Sequence, residues 1–276
     1  MRGCPTRSPS PPPGTSSPRA TPPTSSRPSS ITPASSLGRL HPTAADRLID
    51  VACGPGTLIG LLPAGVEAVG VDFSPAMIER LERLSANRPG VSALVADGQA
   101  LPLPDASFTH AVSMFGVIFF PDRGRGLAEL FRVLRPGGRV AITSWPPLAE
   151  GSPVGAVFAA LAPVFVEAAG DALAERPRPA LGEPADYQHE LGAAGFVDVE
   201  VHAVEHVVEF ESAGSLIDHF ARSSAPLAFA IDTLARRGRE WGELREHAIA
   251  ELVATLGPGP VRLPLPALIG LARRPH

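Results

Sequence analysis

The run Leu48-Ile49-Asp50-Val51-Ala52-Cys53-Gly54-Pro55-Gly56-Thr57 constrains this chain more than any other stretch. An apolar, β-branched segment ends in two closely spaced glycines, with a carboxylate just before them, and apolar residues then resume. Glycine reaches backbone conformations closed to other residues and lets a ligand approach bare main chain. The expected local structure is a strand, a tight turn and a helix whose free N–H groups favour polar or anionic ligand atoms. A lone G-x-G says little. Here two further apolar runs, Glu67–Asp72 and Val91–Asp97, each close on an acid. That ordered set points to a cofactor of nucleotide character held at strand ends.

From Asp46 onward strand and helix patterns alternate, the mark of a parallel sheet covered by helices. Strands are predicted at Arg47–Ala52, Val66–Asp72, Val91–Ala96, within Phe108–Phe120, and at Arg139–Trp145. A short helix is predicted over Thr57–Leu62. A second begins at Ser74 as cap with Pro75 in the favoured first position, and carries Met77, Leu81 and Leu84 as its apolar stripe. Leu127, Leu130, Phe131 and Leu134 have helical spacing and stop at Arg135-Pro136-Gly137-Gly138. Beyond Trp145 the alternation fails. Helical patterns at Val154, Val157, Phe158 and Leu161, and at Trp241, Leu244, Ala248 and Leu252, flank a strand pattern over Phe196–Phe210. A last apolar strand is expected over Val261–Ala272.

Residues 1–45 hold 11 Pro, 10 Ser and 6 Thr with 5 Arg and no acid, so they are expected to form a structureless tail ahead of a single domain over 46–276. The rest of the chain carries 19 Arg against 28 acids, a net charge of −9 that argues against a nucleic-acid surface. No run is long and apolar enough for a membrane span, and the start lacks the apolar stretch of a secretory signal. Cys4 and Cys53 give no disulfide framework, which fits a cytoplasmic setting, and no metal site is expected.

Five blocks in register, LIDVACGPG, VGVDFSPAMIERL, VADGQALPLPDASF, SMFGVIFFPD and LFRVLRPGGRVAITSW, resemble class I S-adenosylmethionine-dependent methyltransferases, in particular the small-molecule, type 11 branch that includes quinone-biosynthesis enzymes. The resemblance is strong over Asp46–Trp145. It implies a Rossmann-like α/β fold, with a mostly parallel seven-stranded sheet, helices on both faces and an antiparallel last strand. It implies S-adenosyl-L-methionine as cofactor. Gly54 and Gly56, with the backbone of Ala52 and Cys53, would pack on its methionine part and ribose, and Asp50 would help hold the amino group. Asp72 would accept the ribose hydroxyls. Phe73 and Met77 would lie against the adenine, and Asp97 would accept from the adenine amino group beside Gly98 and Gln99. Ser113 to Gly116 would border the methyl group and the acceptor. His110 stands where the family has an acid.

A dinucleotide reading competes, but its third glycine would fall where Ile59 stands. Cys53 reads as packing rather than as a nucleophile. Methyl transfer from a sulfonium needs proximity and exclusion of water, and a base only if the attacking atom carries a proton. Tyr187, His189 and His219 lie in the variable half, and no catalytic residue is assigned. Residues 146–256 are expected to cover the strand ends, with Val157, Phe158 and Leu161 lining a pocket for an apolar or aromatic small molecule. Two functional readings follow: a small-molecule methyltransferase, or a cofactor-binding or interaction protein with little turnover because the N-terminal cover is missing.

Overall fold

A computed structural model of the chain describes residues 31–169 and 181–276. Seven strands form one sheet in the order β3-β2-β1-β4-β5-β7-β6. These are β1 (Arg47–Val51), β2 (Glu67–Asp72), β3 (Val91–Val95), β4 (Phe108–Met114), β5 (Leu134–Ser144), β6 (Val197–Phe210) and β7 (Val261–Arg273). The first five run parallel, whereas β7 is antiparallel to both β5 and β6. The order reverses between β1 and β4, the topological switch point where ligands collect in open α/β sheets.

Alternate residues of β1 serve opposite faces. Ile49 and Val51 join Val69, Val71, Ala111 and Ile142 under α3 (Arg123–Val133) and α5 (Pro184–Ala193). Leu48, Ala68, Val112, Ala141 and Ile269 form the other face with α1 (Ile31–Leu40) and α2 (Pro75–Ser85). A third apolar cluster unites α4 (Pro153–Ala169), α6 (Ala213–Ser223), α7 (Ala225–Arg236) and α8 (Trp241–Leu256) with Val208, Phe210, Val261 and Leu263 of β6 and β7. The position of this cluster follows from register. Ser144, the end of β5, pairs with Leu268, so the ribbon from Val261 to Ala267 runs past the carboxyl end of β5 and carries the helices to the ligand side.

The structure departs from the sequence expectations at several places. Residues 31–45 are not a structureless tail. Ile31–Leu40 is a helix, with Leu37, Leu40 and Ser36 buried, because its few apolar residues fall on one side of a short amphipathic turn. Arg139 donates to the carbonyls of Leu40 (2.9 Å) and Arg39 (3.0 Å), closing the helix C-terminus with a cation. Residues 1–30 lie outside the described residues.

The helix predicted over Thr57–Leu62 shrinks to a 3₁₀ turn at Ile59–Leu61. Pro63 and Gly65 end it, and Arg88 donates to the carbonyls of Ile59 (2.5 Å) and Leu62 (2.8 Å). The glycine turn therefore opens on one turn of helix, and little dipole adds up behind it. Ser74 does cap α2, but its side chain makes no cap bond, and the buried stripe is Met77, Ile78 and Leu81, with Leu84 exposed. Leu134 belongs to β5 rather than to the preceding helix.

Candidate functional site

The carboxyl ends of β1, β2 and β4 converge on the glycine turn. Gly54 and Gly56 take φ of +53° and +84°. At Gly56 a side chain would drive into Leu81, so the turn must be bare there. Ala52 also holds a left-handed φ, +57°, as does Phe115 (+57°) at the end of β4. Such backbone is costly for residues with a Cβ, and it gathers at functional sites. The two turns touch: a Cβ on Gly116 would collide with the methyl group of Ala52, and would lie 2.9 Å from Ser113 Oγ.

Asp72 accepts from Gly54 N–H and from Ser74 N–H, both at 2.9 Å, and is 7% exposed. Its carboxylate thus shapes the turn and orders the start of α2, a role sequence reasoning missed. Asp50 is 1% exposed, and its Oδ1 is buried without a hydrogen-bond partner. Burial, reinforced by the nearby Asp72 charge, holds its carboxyl well above the usual carboxylate range. A buried orphan acceptor costs about 1–3 kcal/mol. A ligand offering a donor or a positive charge at this position would relieve that cost. Cys53 is buried, and burial, then the charges of Asp50 and Asp72, push its thiol up, away from thiolate chemistry.

Asp97 lies at the tip after β3, where it accepts from Gln99 N–H (2.9 Å) and Gln99 Nε2 (3.1 Å), the first of which holds its carboxyl below the usual range. Gln99 Oε1 in turn accepts from Asp122 N–H at 2.8 Å, tying this tip to the start of α3. Gly98 is bare against Val51 and Phe120. Met77 is buried, while Phe73 stands 72% exposed beside the Asp72 turn, free to cover a flat ring. Ser113 is fully buried, and its Oγ accepts from Val117 N–H at 3.1 Å. It braces the turn after β4.

One expectation for the acceptor side fails. Val157 and Leu161 are buried in the helical cluster with Ala160 and Val164, and of the expected lining only Phe158 reaches the surface. Tyr187 is fully buried across the bare backbone of Gly270 and bonds Ser144 Oγ (2.7 Å). Burial raises its hydroxyl, so it is a core strut and not a base. His219 sits between Phe210 and Phe220, and burial, then the Arg222 charge, lower it. His189 lines a groove with Asp122, Arg123 and Glu190. Sequence reasoning also overlooked an aromatic cluster: Trp145 stacks on Phe115 (4.6 Å between centroids, 18°) and meets Phe119 edge-on at 6.0 Å and Phe158 at 6.3 Å. Its members are scattered over 44 positions, so no local pattern announced it. Among the described residues no group of three or more His, Cys, Asp or Glu side chains is placed to hold a metal ion.

Residues 49–142 match the family described as methyltransferase domain. Over 114 residues the chain is 40% identical to a demethylmenaquinone methyltransferase of Thermus thermophilus, covering 40% of this chain and 51% of the relative. It is 44% identical over 117 residues to the Deinococcus radiodurans protein of the same name, covering 41% and 48%. The chain thus spans about half the length of the curated relatives it matches. Among solved structures, the Haemonchus contortus phosphoethanolamine N-methyltransferase 2 in complex with phosphomonomethylethanolamine and S-adenosylhomocysteine has a TM-score of 0.54 at 17% identity, over 89% of this chain and 52% of that one. That likeness extends the shared architecture beyond residues 49–142 to most of the chain.

Proposed function

We propose that this chain binds S-adenosyl-L-methionine and transfers its methyl group to a small, apolar or aromatic acceptor. One observation carries the cofactor half: the buried, unpartnered Oδ1 of Asp50 at the approach to a glycine turn that Asp72 shapes. Asp50 would meet the amino group of the methionine moiety, whose positive charge offsets the cost of burying this carboxylate. Gly54 and Gly56 would give close access to main chain, Asp72 would offer its remaining lone pairs to the ribose, and Asp97 with the Gly98–Gln99 backbone would meet the adenine. Phe73 and Met77 would flank that ring. The sulfonium of the cofactor supplies an activated methyl carbon.

The protein's part is then alignment and dryness. Ser113 and Thr143 hold the turn after β4 by accepting from Val117 N–H and Phe115 N–H, and the aromatic cluster lies beside it. Tyr187 is buried as a core strut, and a base is needed only if the attacking atom carries a proton. The names of the bacterial relatives and the absence, among the described residues, of a helix long and apolar enough to cross a membrane accord with a small-molecule enzyme working in the cytoplasm.

The second reading, a cofactor-binding protein without methyl transfer, draws on one finding: the fold is shared with a protein named for another reaction, the [4+2]-cyclase SpnF (TM-score 0.53, 20% identity, over 88% of this chain and 80% of that one). Calorimetric titration with S-adenosylmethionine, S-adenosylhomocysteine and NAD tests the cofactor. Binding of the first two alone supports the proposal, and binding of NAD alone overturns it. Release of S-adenosylhomocysteine in an acceptor screen then separates the two readings.

A further inference from the structure

The aromatic cluster has a built geometry that core packing alone does not require. Phe115 is held on three sides. Its backbone sits at φ +57°, its N–H donates to Thr143 Oγ1 at 2.8 Å, and its ring lies face to face with Trp145, 18° from parallel. Offset stacking and edge-to-face contacts are the favoured arrangements of rings, and both occur here. Yet the cluster is not closed. Phe119 is 55% exposed and Phe158 38% exposed, while Trp145 and Phe115 are half-buried. Phe115, Phe119 and Trp145 follow the carboxyl ends of β4 and β5, and Phe158 comes from α4 of the helical cover. The cluster also adjoins the glycine turn, since Gly116, next to Phe115, packs on Ala52.

We propose that Trp145 is the specificity-determining residue of the acceptor site, selecting a flat, unsaturated ring, and that Thr143 is a positioning residue that acts through Phe115. This rests on the acceptor half of the function proposed above and narrows it from apolar to planar. Open aromatic edges beside a strained, hydrogen-bonded turn suit a ring that completes the cluster by one more stacked or edge-on contact. A saturated molecule of equal size would bury similar area and gain none of the ring-to-ring attraction. Thr143 is fully buried, so its hydroxyl touches no acceptor; it accepts from Phe115 N–H and faces Met114 Sδ at 4.0 Å, and it acts through Phe115.

The test uses the full chain and two probes of like size, 2-naphthol and its saturated counterpart decahydro-2-naphthol, titrated calorimetrically with and without saturating S-adenosylhomocysteine. The flat probe is expected to bind about tenfold more tightly than the saturated one, the order expected of one or two ring contacts. Trp145→Ala should erase most of that preference, while Trp145→Phe keeps it. Thr143→Val should weaken 2-naphthol several-fold and Thr143→Ser should restore it, about the effect of losing one buried hydrogen bond. Phe119→Ala, at an exposed position that endangers folding least, should weaken the flat probe alone. Trp145→Ala and Phe119→Ala should still bind S-adenosylhomocysteine, which shows that they fold. Equal binding of the two probes by the parent, or an unchanged preference in Trp145→Ala or Phe119→Ala, would overturn the proposal. Loss of S-adenosylhomocysteine binding by the parent with the naphthol preference intact would instead sink the cofactor assignment and leave the aromatic site standing.

Discussion

The carboxylate of Asp72 accepts the backbone N–H of Gly54 at 2.9 Å, so an acid at the end of β2 holds the glycine turn at the end of β1. The 18-residue spacing that suggested a ribose ligand therefore also spans a structural bond. The two roles are compatible, because each carboxylate oxygen has a second lone pair.

Replacing Asp72 by Ala should accordingly damage two properties at once. The N–H groups of Gly54 and Ser74 lose their acceptor, and stability should fall by about 1–3 kcal/mol. S-adenosylmethionine affinity should fall as well. Urea unfolding and calorimetry check both, and an unchanged affinity in a folded variant would remove Asp72 from the cofactor site.

Asp50 should behave in the opposite sense. Its folded-state carboxyl is raised by burial and then by Asp72, so the folded chain holds a proton where the unfolded chain has lost it. Its favourable contribution is complete below the usual carboxylate range and is lost as pH rises through the raised value. Asp50→Asn removes the titration. It should stabilise the free protein over the parent increasingly toward neutral pH while weakening cofactor binding, an exchange common at functional sites. Unfolding curves across this range check it, and a stability difference that does not change with pH would contradict the assignment.

Helix α1 should prove part of the folded body. Leu40 is 1% exposed, and Leu40→Ala should cost about 2–5 kcal/mol. Arg139→Ala should cost less, about 1–3 kcal/mol for two backbone acceptors that lose a charged donor. Removal of residues 31–40 should lower the unfolding midpoint sharply. A truncated chain as stable as the parent would restore the view of this stretch as a tail.

The seat of α1 should also sense acid. His110 meets Thr109 Oγ1 at 2.9 Å and Asp46 at 3.6 Å, and it bonds the backbone of Leu40. Burial lowers it below the usual histidine range, and the charges of Arg139 and Arg135 act the same way, against Asp46 and the Leu40 bond. A group so lowered contributes stability that is present above the ordinary histidine value and is lost as pH falls through the folded-state value. The parent should therefore lose stability on acidification below about pH 6.5 more steeply than His110→Phe. Parallel pH profiles would refute the assignment.

The sequence by itself determined the parallel half of the sheet and the placing of the glycine turn. Strand pattern, glycine and terminal acid are local signals: Asp50 is the penultimate residue of β1, Asp72 ends β2 and Asp97 lies just beyond β3. It did not reveal that Ile31–Leu40 is a helix, because its ten residues hold one Pro, one Thr, two Ser and one Gly and have little helix propensity of their own. Packing on the sheet and the donation from Arg139, 99 residues away, stabilise that helix. Nor could it show that Asp72 bonds Gly54, that Tyr187 is buried against Gly270, or that Phe115, Phe119, Trp145 and Phe158 meet. Those contacts join strands and helices distant in sequence, and side-chain pairs of that kind are set by register and crossover, which only the closed tertiary structure fixes.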